Sequence, residues 1–151
     1  MILHLPTKLK RAFTLTELLI VIGILSILLA IVLVALNPAR QFSQANNTQR
    51  RSDVNAILNA IHQFAADNKG ALPTGITTTA AIIKTGGAEI CGDLVTDYLA
   101  ALPSDPTDGT TFSTCAAAYD SGYTVSKSSG NNRVTVSATF AELGETISIT
   151  R

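Results

Sequence analysis

The stretch KLKRAFTLTELLIVIGILSILLAIVLVAL, residues 8–36, decides how the rest of the chain is read. Three basic residues, Lys8, Lys10 and Arg11, lead into a long apolar run. One carboxylate, Glu17, stands just inside its near end. From Leu18 to Leu36 no residue is charged, and only Gly23 and Ser26 interrupt the aliphatics. A bilayer core takes about 20 helical residues. Residues 13–36 are therefore long enough to span and too long for an ordinary core helix. A secretory signal has a shorter apolar core, roughly 7–15 residues, and a small-x-small cleavage site. The following LNPARQFSQ offers no Ala-x-Ala, so ordinary signal cleavage is the weaker reading.

The formal net charge of zero hides an asymmetry. Everything before Ala12 that is charged is basic; the remainder carries eight basic and eleven acidic residues. A basic flank on one side of a span keeps that side in the cytoplasm. The expectation is an inside N-terminus and an exported C-terminal part. Arg40 lies close to the outer end and weakens that bias, while Arg50 and Arg51 lie farther off. No basic stripe marks a nucleic-acid footprint.

Residues 1–12 form a short basic leader in which Pro6 opposes regular helix. Residues 13–36 read as helix, because lipid leaves a backbone no other single-segment way to satisfy itself. Pro38 then predicts either a kink or a restart, with Asn37 as N-cap and Pro38 as first helical residue. In residues 37–70, Val54, Ile57, Leu58, Ile61 and Ala65 form one apolar stripe on a polar helix. Gly70 and Pro73 supply its stop. A continuous helix over 13–68 would reach about 84 Å.

Residues 71–151 are expected to form a small head. TTTAAIIKTG and GDLVTDYLAALPSDP read as short helical turns, with Leu94, Val95, Tyr98, Leu99 and Leu102 as core candidates. Residues 122–127, 133–138 and 146–150 alternate with period 2 and read as an antiparallel meander. Val125, Val134, Val136, Ile147 and Ile149 would face the helical stripe. The fold class is α+β: a long N-terminal helix packed on a small antiparallel sheet. Cys91 and Cys115 form one disulfide if the head is oxidised, closing about 25 residues, and two free thiols otherwise. Neither CxxC spacing nor histidine pairing suggests a metal there.

Glu17 has two local explanations. TLTE at residues 14–17 matches the S/T-x-x-E capping box, with Phe13 and Leu18 as the staple. Alternatively, a carboxylate in lipid costs free energy unless something pairs with it.

The run KLKRAFTLTELLIVIGIL resembles the N-terminal signature of type IV pilins and the pseudopilins of type II secretion. In that family a basic leader and a small residue precede Phe, then a Thr/Ser-Leu-x-Glu-Leu run enters an apolar helix. Here these are Ala12, Phe13 and Glu17, and the match covers residues 8–36. The resemblance implies cleavage between Ala12 and Phe13 by a prepilin peptidase, and N-methylation of Phe13. It implies that Glu17 pairs with the N-terminal amine of a neighbouring subunit, an assembly role rather than a catalytic one. Family members usually have Gly where Ala12 stands, and often have a helix-kinking proline at the position of Val34. Here the proline is Pro38, which displaces the expected kink.

Downstream, YLAALPSDPTDGT and YDSGYTVSK resemble a loop region of major pseudopilins and small pilins. Some major pseudopilins bind calcium there, which makes Asp105, Asp108 and Asp120 candidate ligands. Solvated turn aspartates are the alternative reading, and the expected cofactor is none. His4 and His62 form no site, and no Ser-His-Asp spacing or phosphate loop supports an enzyme.

The resemblance implies a filament subunit whose partners are further copies, the prepilin peptidase, an inner-membrane assembly platform and minor pilins or pseudopilins. A pilus subunit, a secretion pseudopilin and a DNA-uptake pilin stay open. So does a single-pass anchored binding domain that never polymerises.

Overall fold

The computed structural model describes residues 13–110, 115 and 118–151. The leader residues Lys8, Lys10, Arg11 and Ala12, and His4, lie outside them. The chain divides into two compact units, Met1–Pro38 and Ala39–Arg151.

In the first unit, helix α1 spans Leu15–Leu36. Thr14 is its N-cap, with extended backbone at φ −79° and ψ 151°. No residue of α1 is buried, so its aliphatic side chains present apolar surface all round. A helix apolar on every side suits lipid or the interior of a helical assembly. Among the described residues, α1 is the helix long and apolar enough to cross a membrane. Inside it, the Ser26 hydroxyl donates to the Ile22 carbonyl at 2.7 Å, which removes an unpaired polar group from the apolar surface.

Of the two outcomes expected at Pro38, a kink or a restart, the structure has a restart. Asn37 caps α1 in left-handed geometry, φ 40° and ψ 81°, and α2 begins at Pro38 and runs to Asp67. The reason is local. Proline bars its predecessor from right-handed helix, and asparagine tolerates the left-handed region better than most residues.

In the second unit, Val54, Ile57, Leu58, Ala60 and Ile61 of α2 are buried, while Ala65 is only half-buried. The helix stops by a left-handed cap. Lys69 and Gly70 have φ 57° and 87°, and the Gly70 N–H donates to the Ala65 carbonyl at 2.7 Å.

Four antiparallel strands form the sheet in the order β1-β2-β3-β4. They are β1 Ala81–Lys84, β2 Asp120–Lys127, β3 Val134–Ala138 and β4 Ile147–Thr150. The first corrects the helical reading of TTTAAIIKTG. Ala81 pairs with Val125 and Ile82 with Thr124, and adjacent β-branched isoleucines fit this pleat better than a helical turn. Of the second expected helical segment, only residues 92–94 are helical, as part of α3 Cys91–Leu94. Beyond it Val95 bridges to Leu99.

Tyr123, Val125, Val134, Val136 and Ile147 form one core cluster with Val54, Ile57, Leu58 and Ile61 of α2, joined by Ile83, Ile90, Leu94 and Leu102. Ile149, Val95, Tyr98 and Leu99 pack half-buried at its margin. Each fully buried aliphatic contributes about 1.5–3 kcal/mol of transfer free energy. The other sheet face carries hydroxyls: Thr124 aligns with Ser137 and Ser148, and Ser126 with Thr135 and Thr150.

Candidate assembly site and a buried arginine

Residues 13–17 turn the chain into α1. The Glu17 N–H donates to Thr14 Oγ1 at 3.2 Å, and the Thr14 N–H donates to Glu17 Oε2 at 2.9 Å. The Thr14 hydroxyl also donates to Glu17 Oε2, at 2.7 Å. This is the reciprocal capping box, which satisfies donors that a helix start leaves over. In the single chain Glu17 is therefore held locally, exposed at the start of the apolar helix. Phe13 beside it is 86% exposed.

This is the stretch that the comparisons single out. The family model of the prokaryotic N-terminal methylation motif matches residues 7–33. The chain thus carries a type IV pilin or pseudopilin-like signature, which points to a structural protein rather than an enzyme. Comparison with curated proteins and with solved structures finds no match.

The second unit holds a polar centre that the sequence reading missed. Arg50 on α2 is 0% exposed. Its Nε donates to Asp105 Oδ2 at 2.7 Å and its Nη2 to Asp105 Oδ1 at 3.0 Å. This fork is the geometry that makes arginine suited to buried pairing. Nη1 donates to Glu142 Oε2 at 2.8 Å and Asn47 Oδ1 at 3.0 Å, and Nη2 also reaches Thr107 Oγ1 at 2.7 Å. The guanidinium pKa is raised, first by the bond to Asp105, against the opposing effect of burial.

Both loops that grip Arg50 are themselves built to do so. Asp105 Oδ1 accepts the Thr107 N–H at 2.9 Å, and the Asp105 N–H donates to the Ser121 carbonyl at 2.8 Å. Gly122, at φ 75°, lets this turn sit against β2; a Cβ there would lie 2.7 Å from that of Asp105. Burial pushes the Asp105 carboxyl up, but Arg50 and Thr107 outweigh it and hold it below the ordinary value. Glu142, in the β3–β4 connection, accepts from Ser43 Oγ and Asn46 Nδ2, each at 2.9 Å. The Asn47 amide completes the grip, donating to the Glu142 carbonyl at 2.9 Å and accepting its N–H at 3.0 Å. Arg50 first, then Asn46 and Ser43, hold the Glu142 carboxyl below its ordinary value.

One turn farther along α2, Asp53 accepts from Tyr123 Oη at 2.8 Å and from Gln49 Nε2 at 2.7 Å. Burial raises the pKa of both Asp53 and Tyr123. The sequence did hold a signal: Asn47, Arg50 and Asp53 extend the Val54-Ile57-Ile61 stripe backward at helical spacing. Polar residues on the core side of a helix require partners.

The remaining site candidates have partners within the chain. Asp105 is committed to Arg50. Asp120 Oδ1 accepts the Gly122 N–H at 3.0 Å, and its Oδ2 lies 4.0 Å from Lys84 Nζ. Asp108 donates its own N–H to Asp105 Oδ1 at 3.3 Å. Among the described residues, no group of three or more His, Cys, Asp or Glu is placed to hold a metal. Cys91 and Cys115 form the disulfide, 24 residues apart in sequence. His62 lies half-buried beside the stripe, its Nε2 enclosed and without a hydrogen-bond partner.

Proposed function

We propose that the chain is the precursor of a subunit of a type IV pilus or pilus-like filament. It is held in the cytoplasmic membrane through α1, with the N-terminus inside and the sheet-bearing unit outside. Prepilin peptidase cuts between Ala12 and Phe13 and the new Phe13 amine is methylated. An assembly platform then extracts the subunit, and α1 helices pack together as the filament core.

The observation that carries this reading is a coincidence of position. The methylation motif at residues 7–33 falls on the segment whose apolar surface is unburied and whose first turn holds Glu17. In a dry filament core an ammonium and a carboxylate are each costly alone and offset one another when paired. The Cys91–Cys115 disulfide supports an oxidising location for the second unit.

The test is the mature N-terminus. Mass spectrometry of protein recovered from sheared cell surfaces should find N-methylated Phe13. Surface material beginning at Met1 would defeat the proposal in favour of a non-polymerising membrane-anchored domain.

A further inference from the structure

Among the described residues, strand β4 is an edge of the sheet: β3 is its one neighbouring strand, and the Thr150 carbonyl also accepts from Arg133 Nη2 at 3.5 Å. Val134 and Arg151 exchange N–H and C=O at 2.7 and 3.0 Å, which fixes the phase of the ladder. By alternation Ile147 and Ile149 bond toward β3, while Ser148 and Thr150 direct their backbone groups away from the sheet. Ser148 and Thr150 are both exposed.

The two edges differ in how they are protected. On β1 the register breaks between Ile82 and Lys84, and Lys84 itself stands on the strand. A bulge and a lysine are common means of blocking an edge. The sequence Ile147-Ser148-Ile149-Thr150 has neither charge nor proline, and its register with β3 is unbroken.

We infer that β4 pairs antiparallel with β4 of a second copy, centred on Ser148. In that register Ser148 faces Ser148, Ile147 faces Ile149 and Thr146 faces Thr150. Arg151 of each copy then faces Glu145 of the other. The seam therefore carries a cation opposite a carboxylate at both ends. Glu145 is already oriented by Arg51, and Arg151 by its bond to Asn59 Oδ1 at 3.0 Å, yet both remain solvent-accessible. Isoleucines continue the core-facing side, and hydroxyls meet hydroxyls on the other. A register centred on Ile149 instead sets Arg151 against Ile147 and loses both ion pairs. The contact is two-fold and isologous, so it closes on itself. It joins two chains whether or not α1 polymerises.

Cysteine cross-linking of the full-length protein in detergent micelles tests this register. The chain has two cysteines and both are in the disulfide, so an added cysteine is a lone thiol. Facing Cα atoms in such a pair lie about 5.5 Å apart, within disulfide reach. Mild oxidation should convert Ser148→Cys to a covalent dimer and leave Ile149→Cys monomeric. Arg151→Glu should lower the Ser148→Cys dimer yield several-fold, and Arg151→Lys should keep it. Mixing Thr146→Cys with Thr150→Cys chains provides a readout that leaves Ser148 intact; mixed dimers should exceed homodimers. Monomeric Ser148→Cys with no excess of mixed dimers overturns the pairing. Equal cross-linking of Ile149→Cys, or indifference to Arg151→Glu, overturns this register.

Discussion

Arg50 and Asp105 meet by two parallel hydrogen bonds of 2.7 and 3.0 Å, with neither side chain exposed to water. The pair ties α2 to the loop before β2, across 55 positions of sequence. Removing one partner of a buried pair costs about 3–5 kcal/mol when the other charge is left uncompensated; Arg50 keeps Glu142 at 2.8 Å, which sets the loss at the lower end of that range. Asp105→Ala is therefore expected to lower stability by about that amount, measured by urea unfolding of the second unit's tyrosine signal in the full chain. The triple change Arg50→Met, Asp105→Leu and Glu142→Gln should recover most of the loss, because it removes both carboxylates that pair with the arginine along with the arginine itself. A loss for Asp105→Ala below about 1 kcal/mol would place the pair among weak surface bridges.

The same centre sets an acid response with two opposing parts. Asp105 and Glu142 have lowered folded values, so their contribution is fully present above the ordinary carboxylate range. It is lost as pH falls through those lowered values. Asp53 has a raised folded value. Its contribution has the opposite sign: stability rises as pH falls from just above the raised value toward the ordinary one, near pH 3.9. The expected profile rises slightly on mild acidification and then falls steeply. Asp53→Asn should remove the initial rise, and Glu142→Gln should soften the later fall. Denaturation midpoints collected from pH 7 to pH 2 read both.

How far this centre could be read beforehand depends on the kind of signal. The period-2 alternation of VTVSA and TISIT and the capping pattern of TLTE are local, and the structure forms both. Arg50 reads from composition as one more charge beyond the span, because its partners lie 55 and 92 positions away. Asp105 has the same difficulty: a Pro-Ser-Asp-Pro turn resembles a solvated loop until Arg50 is placed under it. Strand β1 is short and gains its identity from pairing with β2, which no local pattern reports. At Asn37 the proline signalled the break, but whether the helix bends or restarts was left to the backbone.

The β3–β4 connection contains a tight turn whose Glu145 N–H donates to the Glu142 carbonyl at 3.1 Å. Leu143 and Gly144 at its centre have φ 59° and 69°. Two positive φ values match the type I′ turn, for which Asn-Gly is the preferred pair. Leucine in the left-handed region costs about 1–2 kcal/mol. Leu143 is half exposed, so little buried surface offsets that cost. Leu143→Asn is expected to stabilise the chain by roughly 0.5–1 kcal/mol, read as a higher urea midpoint with unchanged slope. A lower midpoint would mean that the half-buried Leu143 side chain makes contacts within the fold worth more than the backbone strain it carries.

The disulfide closes a segment that contains α3, Leu102 and Asp105. In the chain-entropy picture a loop of this length contributes about 3 kcal/mol. Cys91→Ala with Cys115→Ala should lower stability by that order. It should add to the Asp105→Ala loss less than independently, since both changes loosen the same loop. Full additivity in the triple variant would show that the two ties hold separate segments.

Glu17 offers the sharpest separation of local and assembled roles. Its Oε2 accepts from both the Thr14 amide and the Thr14 hydroxyl. A glutamine there keeps a carbonyl oxygen for these bonds and removes the charge, so Glu17→Gln should leave α1 capped and membrane insertion intact. An amine of a neighbouring subunit would then meet no counter-charge in the filament core, and surface filaments should be lost. Thr14→Ala is the converse variant: it deletes the cap side chain and keeps the carboxylate, so filaments should form at reduced yield. Electron microscopy of shear fractions, alongside immunoblots of membranes, reads both variants. Normal filaments from Glu17→Gln would confine Glu17 to helix capping and would remove the charge-pairing role from the assembly reading.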